Sequence, residues 1–263
     1  KTTYRDMQVK RSKYHKPYEY LLMELAESNN AFQKFIHSAP PADKLISVSF
    51  QVCMAAISLV TFFGIVQNDL LMSNITYNQV NPDVYNVYKI GNIYIKVPLY
   101  GKLVKIFDFG LTTDTDNFYK PTIPNRVPTH WCVGGRGVGS EDQLTCSAFV
   151  RDILEYFTRL EDEYGCPYQN LCKPNTNDDI LNWIDYSRKL AQSITSDDIP
   201  SVIRLILNIF SPNTLKNFNL PAVIDISETP FPLMPLYQSN PFEVVNKKKY
   251  IQSIHKIIDR KIW

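Results

Sequence analysis

Glycine is scarce in this chain, with 9 glycines against 17 prolines in 263 residues. That argues against a fold built on repeated Gly-rich phosphate loops or tight hairpins, and the proline excess points to irregular connections between helices. An excess of either charge is also missing. There are 28 Lys+Arg against 26 Asp+Glu, a formal charge of +2, which excludes a nucleic-acid binder working through a basic face. The five cysteines, at 53, 132, 146, 166 and 172, form no C-x-x-C pair and have no histidine at metal-ligand spacing. They read as free thiols in a reducing compartment. Residues 1–20 are charged and tyrosine-rich and do not read as a secretory leader. The chain opens on Lys1 rather than Met, and a piece of a longer polypeptide is expected.

What is present is core-forming material. Hydrophobic residues make up 44% and aromatics 13%, enough for one large domain or two small ones and too much for a chain disordered throughout. Tyr18 to Ala26 is a short apolar run expected to form a buried strand. Ala31 to His37 reads as a short helix closed by Pro40 and Pro41, after which Asp43 is placed to cap a helix over Lys44 to Phe63. Between Leu45 and Asn68 there is no charged residue. That length admits a membrane span, but the interspersed Ser47, Ser49, Gln51, Ser58 and Thr61, without flanking basic or aromatic belts, favour a helix buried inside a domain.

Beyond Gly64 the pattern turns to short extended pieces. Strands are expected over Val84–Ile90 and Asn92–Val97 around a Gly91-Asn92 turn, and over Lys102–Phe107. Residues 111–142 read as loop. The helical period returns from Leu144, with Phe149, Ile153, Phe157 and Leu160 on one stripe. Asp152, Glu155, Glu161, Asp162 and Glu163 read as the solvated face of that helix. Further helices are expected near 179–194 and 198–210. A Cys/Pro/Asn loop covers 165–178, and a basic helix over 243–262 follows a proline-rich stretch.

Two motifs carry chemistry. The long apolar helix runs into Ile65-Val66-Gln67-Asn68-Asp69-Leu70-Leu71-Met72-Ser73-Asn74-Ile75, and a β-rich run later delivers Lys105-Ile106-Phe107-Asp108-Phe109-Gly110. An Asp with an Asn five positions on, followed by strand-Asp-Phe-Gly, resembles the catalytic and metal-binding loops of protein kinases in their usual order. Leu22-Met23-Glu24-Leu25-Ala26 is similar to the strand and hinge that join the two kinase lobes. Within kinases the chain looks most like the divergent virion-packaged Ser/Thr kinases of large DNA viruses, including the poxvirus type, with Tyr94 to Gly110 the most suggestive stretch.

The resemblance implies an α+β, mainly α fold. Residues 1–26 would be a remnant of the N-lobe with the hinge strand. Residues 27–263 would be the helical C-terminal lobe, with a β-rich insertion at about 77–100 before the DFG loop and an activation segment at about 108–142. It also implies roles. Asp69 would be the catalytic base, Asn74 and Asp108 ligands of Mg²⁺, Phe109 a packing residue and Gly110 a source of backbone freedom. The backbone of Glu24 and Leu25 would hold the adenine of ATP. The partners implied are ATP, a protein substrate carrying Ser or Thr, and other virion proteins, with no nucleic acid and no membrane span, in the virion or host cytoplasm.

The departures are specific. Gln67 stands where His is usual, Asn68 where Arg is usual and Leu71 where a Lys near the transferred phosphate is common, and no Ala-Pro-Glu follows the DFG. Neither a Gly-rich loop nor the strand Lys with its helix Glu precedes the hinge. These leave a pseudokinase with a scaffolding role as the alternative. Gly134 to Gly139 opens no helix after a strand and reads as activation segment rather than a nucleotide loop. His130 with Cys132 reads as loop packing. Lys247 to Lys249 read as a solvated face.

Overall fold

The structure, a computed structural model, describes residues 31–109, 112–114, 149–165, 177–195 and 198–231. The hinge residues Glu24 and Leu25, the strand expected over 18–26 and Gly110 lie outside the described residues. So do 134–139, His130, the cysteines other than Cys53, most of the loop over 165–178, and 243–262. Among the described residues the fold is α+β, with about 53% helix and small antiparallel sheets.

Helix α1 (Ala31–His37) leads through Pro40 and Pro41 into α2 (Ala42–Ser58), which continues as a π-helical turn over Leu59–Phe63. Pro41, not Asp43, occupies the N-cap of α2. Asp43 lies in the first turn, where its charge complements the helix dipole. Gly64, at φ +64°, ends the π turn in a left-handed conformation that costs glycine little. Of the described residues, one helix is long and apolar enough to cross a membrane, Ala42–Phe63, and 78% of its most apolar window is buried inside the fold.

Among the described residues seven strands follow in short ladders. They are β1 (Ile65–Val66), β2 (Ile75–Gln79), β3 (Tyr85–Ile90), β4 (Ile93–Pro98), β5 (Lys102–Ile106), β6 (Thr113–Asp114) and, late in the chain, β7 (Asp225–Ser227). Strands β3 to β5 fall within a residue or so of their expected bounds, and Gly91 makes the turn between β3 and β4 at φ +58°. Strand β2 pairs with β5 from Ile75↔Ile106 to Gln79↔Lys102, β1 with β6, and β4 with both β3 and β7, all antiparallel. The β3–β4 hairpin is therefore an excursion from the β2–β5 ladder, closed at its base where the Val80 amide donates to the Gly101 carbonyl at 3.0 Å.

The helices after the β-rich region are α3 (Arg151–Gly165), α4 (Asp178–Gln192), α5 (Ile199–Phe210) and α6 (Pro212–Asn217). Sequence-encoded caps start three of them. The Asn177 side chain accepts from Asp179 and Ile180 amides, Asp198 from the Ser201 amide and Ser211 from the Thr214 amide. Ile153, Phe157 and Leu160 of the expected stripe are buried, and Phe149 is half-buried. The core forms around α2. Phe50 meets Phe210 edge-on at 5.1 Å, while Trp183 packs edge-on against Phe157 at 5.8 Å and Phe210 at 5.7 Å.

The polar residues that lower the hydrophobicity of α2 have defined partners. Gln51 is buried against the open edge of β5, where its Oε1 accepts from the Val104 amide at 3.0 Å and its Nε2 donates to the Lys102 carbonyl at 3.2 Å. Ser47 donates to the Pro98 carbonyl, and the Ser49 and Tyr156 hydroxyls share a 2.8 Å hydrogen bond. A helix side chain thus stands where a neighbouring strand would be. Replacing Gln51 with Leu leaves a buried amide and carbonyl without partners. The expected loss is about 2–4 kcal/mol of unfolding free energy, read by urea denaturation; a loss below about 0.5 kcal/mol would contradict the role.

Candidate functional site

The two sequence motifs meet because both are strung between the same two ladders. Strand β1 runs into residues 67–74, which end in a 3₁₀ turn (Met72–Asn74) and lead into β2. Strand β5 runs into 107–112 and then β6. Since β1 pairs with β6 and β2 with β5, the two connections are held side by side. The Phe107 amide donates to the Asn74 carbonyl at 3.1 Å, tying them directly.

Within the first connection, Asn74 Nδ2 donates to the Asp69 carbonyl and to Asp69 Oδ2, each at 2.8 Å. The Asp-x-x-x-x-Asn spacing is thus closed by a side chain that fixes the carboxylate and its own backbone together. Gln67 makes the link to the second connection. It is fully buried; its Oε1 accepts from the Asp69 amide at 2.8 Å, and its Nε2 donates to the Asp108 carbonyl at 2.8 Å. The departure from His at this position therefore leaves a side chain that joins the loop of Asp69 to the loop of Asp108.

Asn68 and Asp108 both adopt left-handed backbone, at φ +62° and +60°. Asn and Asp are the non-glycine residues that tolerate this region best, so these residue types suit the sharp turns that present Asp69 and Asp108. The side chain of Asp108 is exposed, and Phe109 is 46% exposed rather than packed away.

The loop is anchored from below by α3. Asp152, buried at the start of that helix, accepts the Gln67 amide on Oδ2 at 2.8 Å and the Asn68 amide on Oδ1 at 2.9 Å. Burial pushes its carboxyl up to about 6 against the pull of these two hydrogen bonds. One turn on, Glu155 is 5% exposed and lies between Arg151, itself 3% exposed, and Arg159, whose Nε reaches Glu155 Oε1 at 2.9 Å. The expectation that Asp152 and Glu155 belong to a solvated face is thus corrected. Both are buried because α3 is covered on two stripes, one apolar and one facing the backbone of the loop. Of the other acids, Glu163 pairs with His37 of α1 and Glu161 with Arg188 of α4, which leaves Asp162 exposed.

These charges converge on Asp69. Burial holds its carboxyl above the usual carboxylate range, opposed by the Asn74 hydrogen bond. The negative charges of Glu155 and Asp108 push it further up, and the Arg159 guanidinium pulls it down. A half-buried carboxylate biased toward proton uptake is suited to accepting a proton from a hydroxyl.

For a metal, the donors that the two loops carry are hard oxygens. These are the exposed Asp108 carboxylate and the Asn74 amide oxygen, which remains when Nδ2 is engaged by Asp69. Among the described residues no group of three or more His, Cys, Asp or Glu side chains could hold a metal ion alone. Two oxygen donors fit a cation that shares its coordination with phosphate oxygens and water, as Mg²⁺ does.

Sequence reasoning placed Asp69, Asn74 and Asp108 in one site, and the structure brings those three together. It missed Asp152, Glu155 and Arg159 as neighbours of the site. Their i, i+3, i+7 spacing on one helix stripe was the available signal. No family model, curated protein or solved structure matches the chain.

Asp152→Asn keeps the shape of the anchor but turns a hydrogen-bond donor toward one of the two amides. The expected cost is about 1–3 kcal/mol, with faster hydrogen exchange at the Gln67 and Asn68 amides. Unchanged protection at both amides would refute the anchoring role.

Proposed function

We propose that this chain is the helical lobe of a divergent Ser/Thr protein kinase of the virion-associated viral type, which transfers the γ-phosphate of ATP to a protein hydroxyl. The observation that carries the reading is the closure of Asp69 by Asn74 beside Asp108, delivered by two connections between the same pair of ladders. The match of residue types and chain order to kinase loops supports it independently.

In this reading Asp69 orients the acceptor hydroxyl and takes its proton as the oxygen bonds to the γ-phosphorus and the bond to the β–γ bridging oxygen breaks, releasing ADP. Asn74 fixes the rotamer of Asp69 through Nδ2 and offers its amide oxygen to the metal. Asp108 supplies the carboxylate of the metal site, and Gln67 keeps that loop in register with Asp69. Mg²⁺, when bound, neutralises phosphate charge during transfer.

Two outcomes are expected of the full-length protein. Asp108→Ala abolishes transfer of radiolabelled phosphate from ATP; undiminished transfer would sink the assignment. The acid limb of kcat lies above the usual carboxylate range, because Asp69 must be ionised to act and its environment favours the protonated form. A profile flat from pH 4 to 7 would remove Asp69 as the base.

A further inference from the structure

Strand β3 lies at the rim of the sheet it forms with β4 and β7, and β4 is its one hydrogen-bonded neighbour among the described residues. Which backbone groups it turns outward follows from the register. Tyr85 stands opposite Pro98, which has no N–H, and the Leu99 amide donates to the Val84 carbonyl at 2.9 Å. Hydrogen-bonded pairs alternate with open ones along an antiparallel ladder. Asn86, Tyr88 and Ile90 therefore direct their backbone groups to β4, and Tyr85, Val87 and Lys89 turn theirs to the outer edge.

Elsewhere the fold guards its edges. Gln51 caps β5, and β7 is only three residues long. Strand β3 has six residues, no proline and an unbroken register from Tyr85 to Ile90. Among the described residues no backbone group bonds to the outer side of Val87 or Lys89. Such an edge is a template for a further strand. Ile95 and Val97 are buried and mark the inner face of the sheet, which Tyr88 and Ile90 share, so Tyr85, Val87 and Lys89 lie on the outer face with Tyr94 and Lys96. The ammonium of Lys89 sits 5.7 Å from the centre of the Tyr94 ring. It is not an inward-pointing charge of the kind that bars a neighbouring strand.

We infer that two copies of this chain associate through β3, antiparallel about a two-fold axis at Val87. A strand paired with itself in this way sets Val87 against Val87 and Tyr85 against Lys89, and each pair uses outward backbone groups. The charges are complementary in that register. Each Lys89 faces a Tyr85 ring rather than another lysine, and lysine over tyrosine is the pairing already used on this face, with Lys89 over Tyr94 and Lys96 over Tyr85 at 4.9 Å. On the inner face Val84 of the second copy stands opposite Ile90, at the lip of an apolar groove lined by Met54, Ile57, Phe62, Ile199 and Ile203. Both β3 edges are then paired, so the contact closes as a dimer and does not propagate. A contact of one short strand a side is small, and the association is transient. It does not rest on the phosphotransfer reading.

The test follows the full-length protein by sedimentation velocity between about 1 and about 200 μM, the range in which a small contact of this kind dissociates. The wild-type protein is expected to pass from monomer to dimer as concentration rises. Val87→Pro removes the outward amide and no bond within the protomer, and its association constant is expected to fall at least about tenfold. Val87→Lys sets two like charges opposite one another at the axis and is expected to do the same. It decides the question if the proline variant does not fold. Val87→Cys places two thiols at the axis, where paired Cα atoms lie about 5.5 Å apart. Under mild oxidation it is expected to raise the fraction of disulfide-linked dimer above that of the wild type. A wild-type protein that stays monomeric overturns the inference. Slow hydrogen exchange at its Val87 and Lys89 amides would then show that another segment of this chain covers the edge, and fast exchange that the edge is open to a different partner. Association at wild-type strength in Val87→Pro or Val87→Lys, or no added cross-linking in Val87→Cys, overturns it equally.

Discussion

The arrangement of the site depends on one buried carboxylate. Asp152 accepts two consecutive backbone amides, those of Gln67 and Asn68, at the point where the chain leaves β1 and turns through a left-handed residue toward Asp69. Those amides have no strand partner there, and burying them unbonded would cost free energy comparable to that of the hydrogen bonds forgone. A charged acceptor at this point stabilises the turn and fixes its height above α3. From that turn Gln67 reaches Asp108, Asn74 reaches back to Asp69, and Phe107 bonds to Asn74, so three links tie the two loops to one anchored bend.

Energetically this is an expensive arrangement. Asp152, Glu155 and Arg151 are buried, and ions taken out of water stabilise a fold only when they are well paired and hydrogen-bonded. Here the acids are satisfied by loop amides and by two arginines of the same helix, one a turn before Glu155 and one a turn after it. What the arrangement provides is position. A packed apolar contact would tolerate sliding of the loop over α3, whereas two amides on two carboxylate oxygens define a single placement.

Much of this was legible in the sequence where local signals act alone. A Gly-Asn turn located β3 and β4, helices were expected close to α4 and α5 though not at α6, and the apolar period placed Ile153, Phe157 and Leu160 inside. Asp69, Asn74 and Asp108 were found because their spacing and order are themselves the signal. Asp152 and Glu155 were misjudged because a polar stripe that faces loop backbone has the same period as one that faces water. The pairing of β1 with β6 and of β2 with β5 joins residues dozens of positions apart, which no short window can show. Gln67 was read as a departure since its bond to the Asp108 carbonyl exists only after those ladders close.

The central position of α2 carries a consequence for how the chain is made. Its 22-residue apolar stretch is synthesised early, after only α1 among the described core elements, yet the helices that cover it, α3 and α5, lie roughly a hundred to a hundred and fifty residues later in the chain. At the usual pace of a ribosome that interval is on the order of ten seconds. For that time the nascent chain exposes a segment with the composition of a membrane insert, and it competes for whatever factors recognise such segments. Folding yield therefore depends on how well that segment is shielded until α3 and α5 emerge, as well as on the stability of the finished fold.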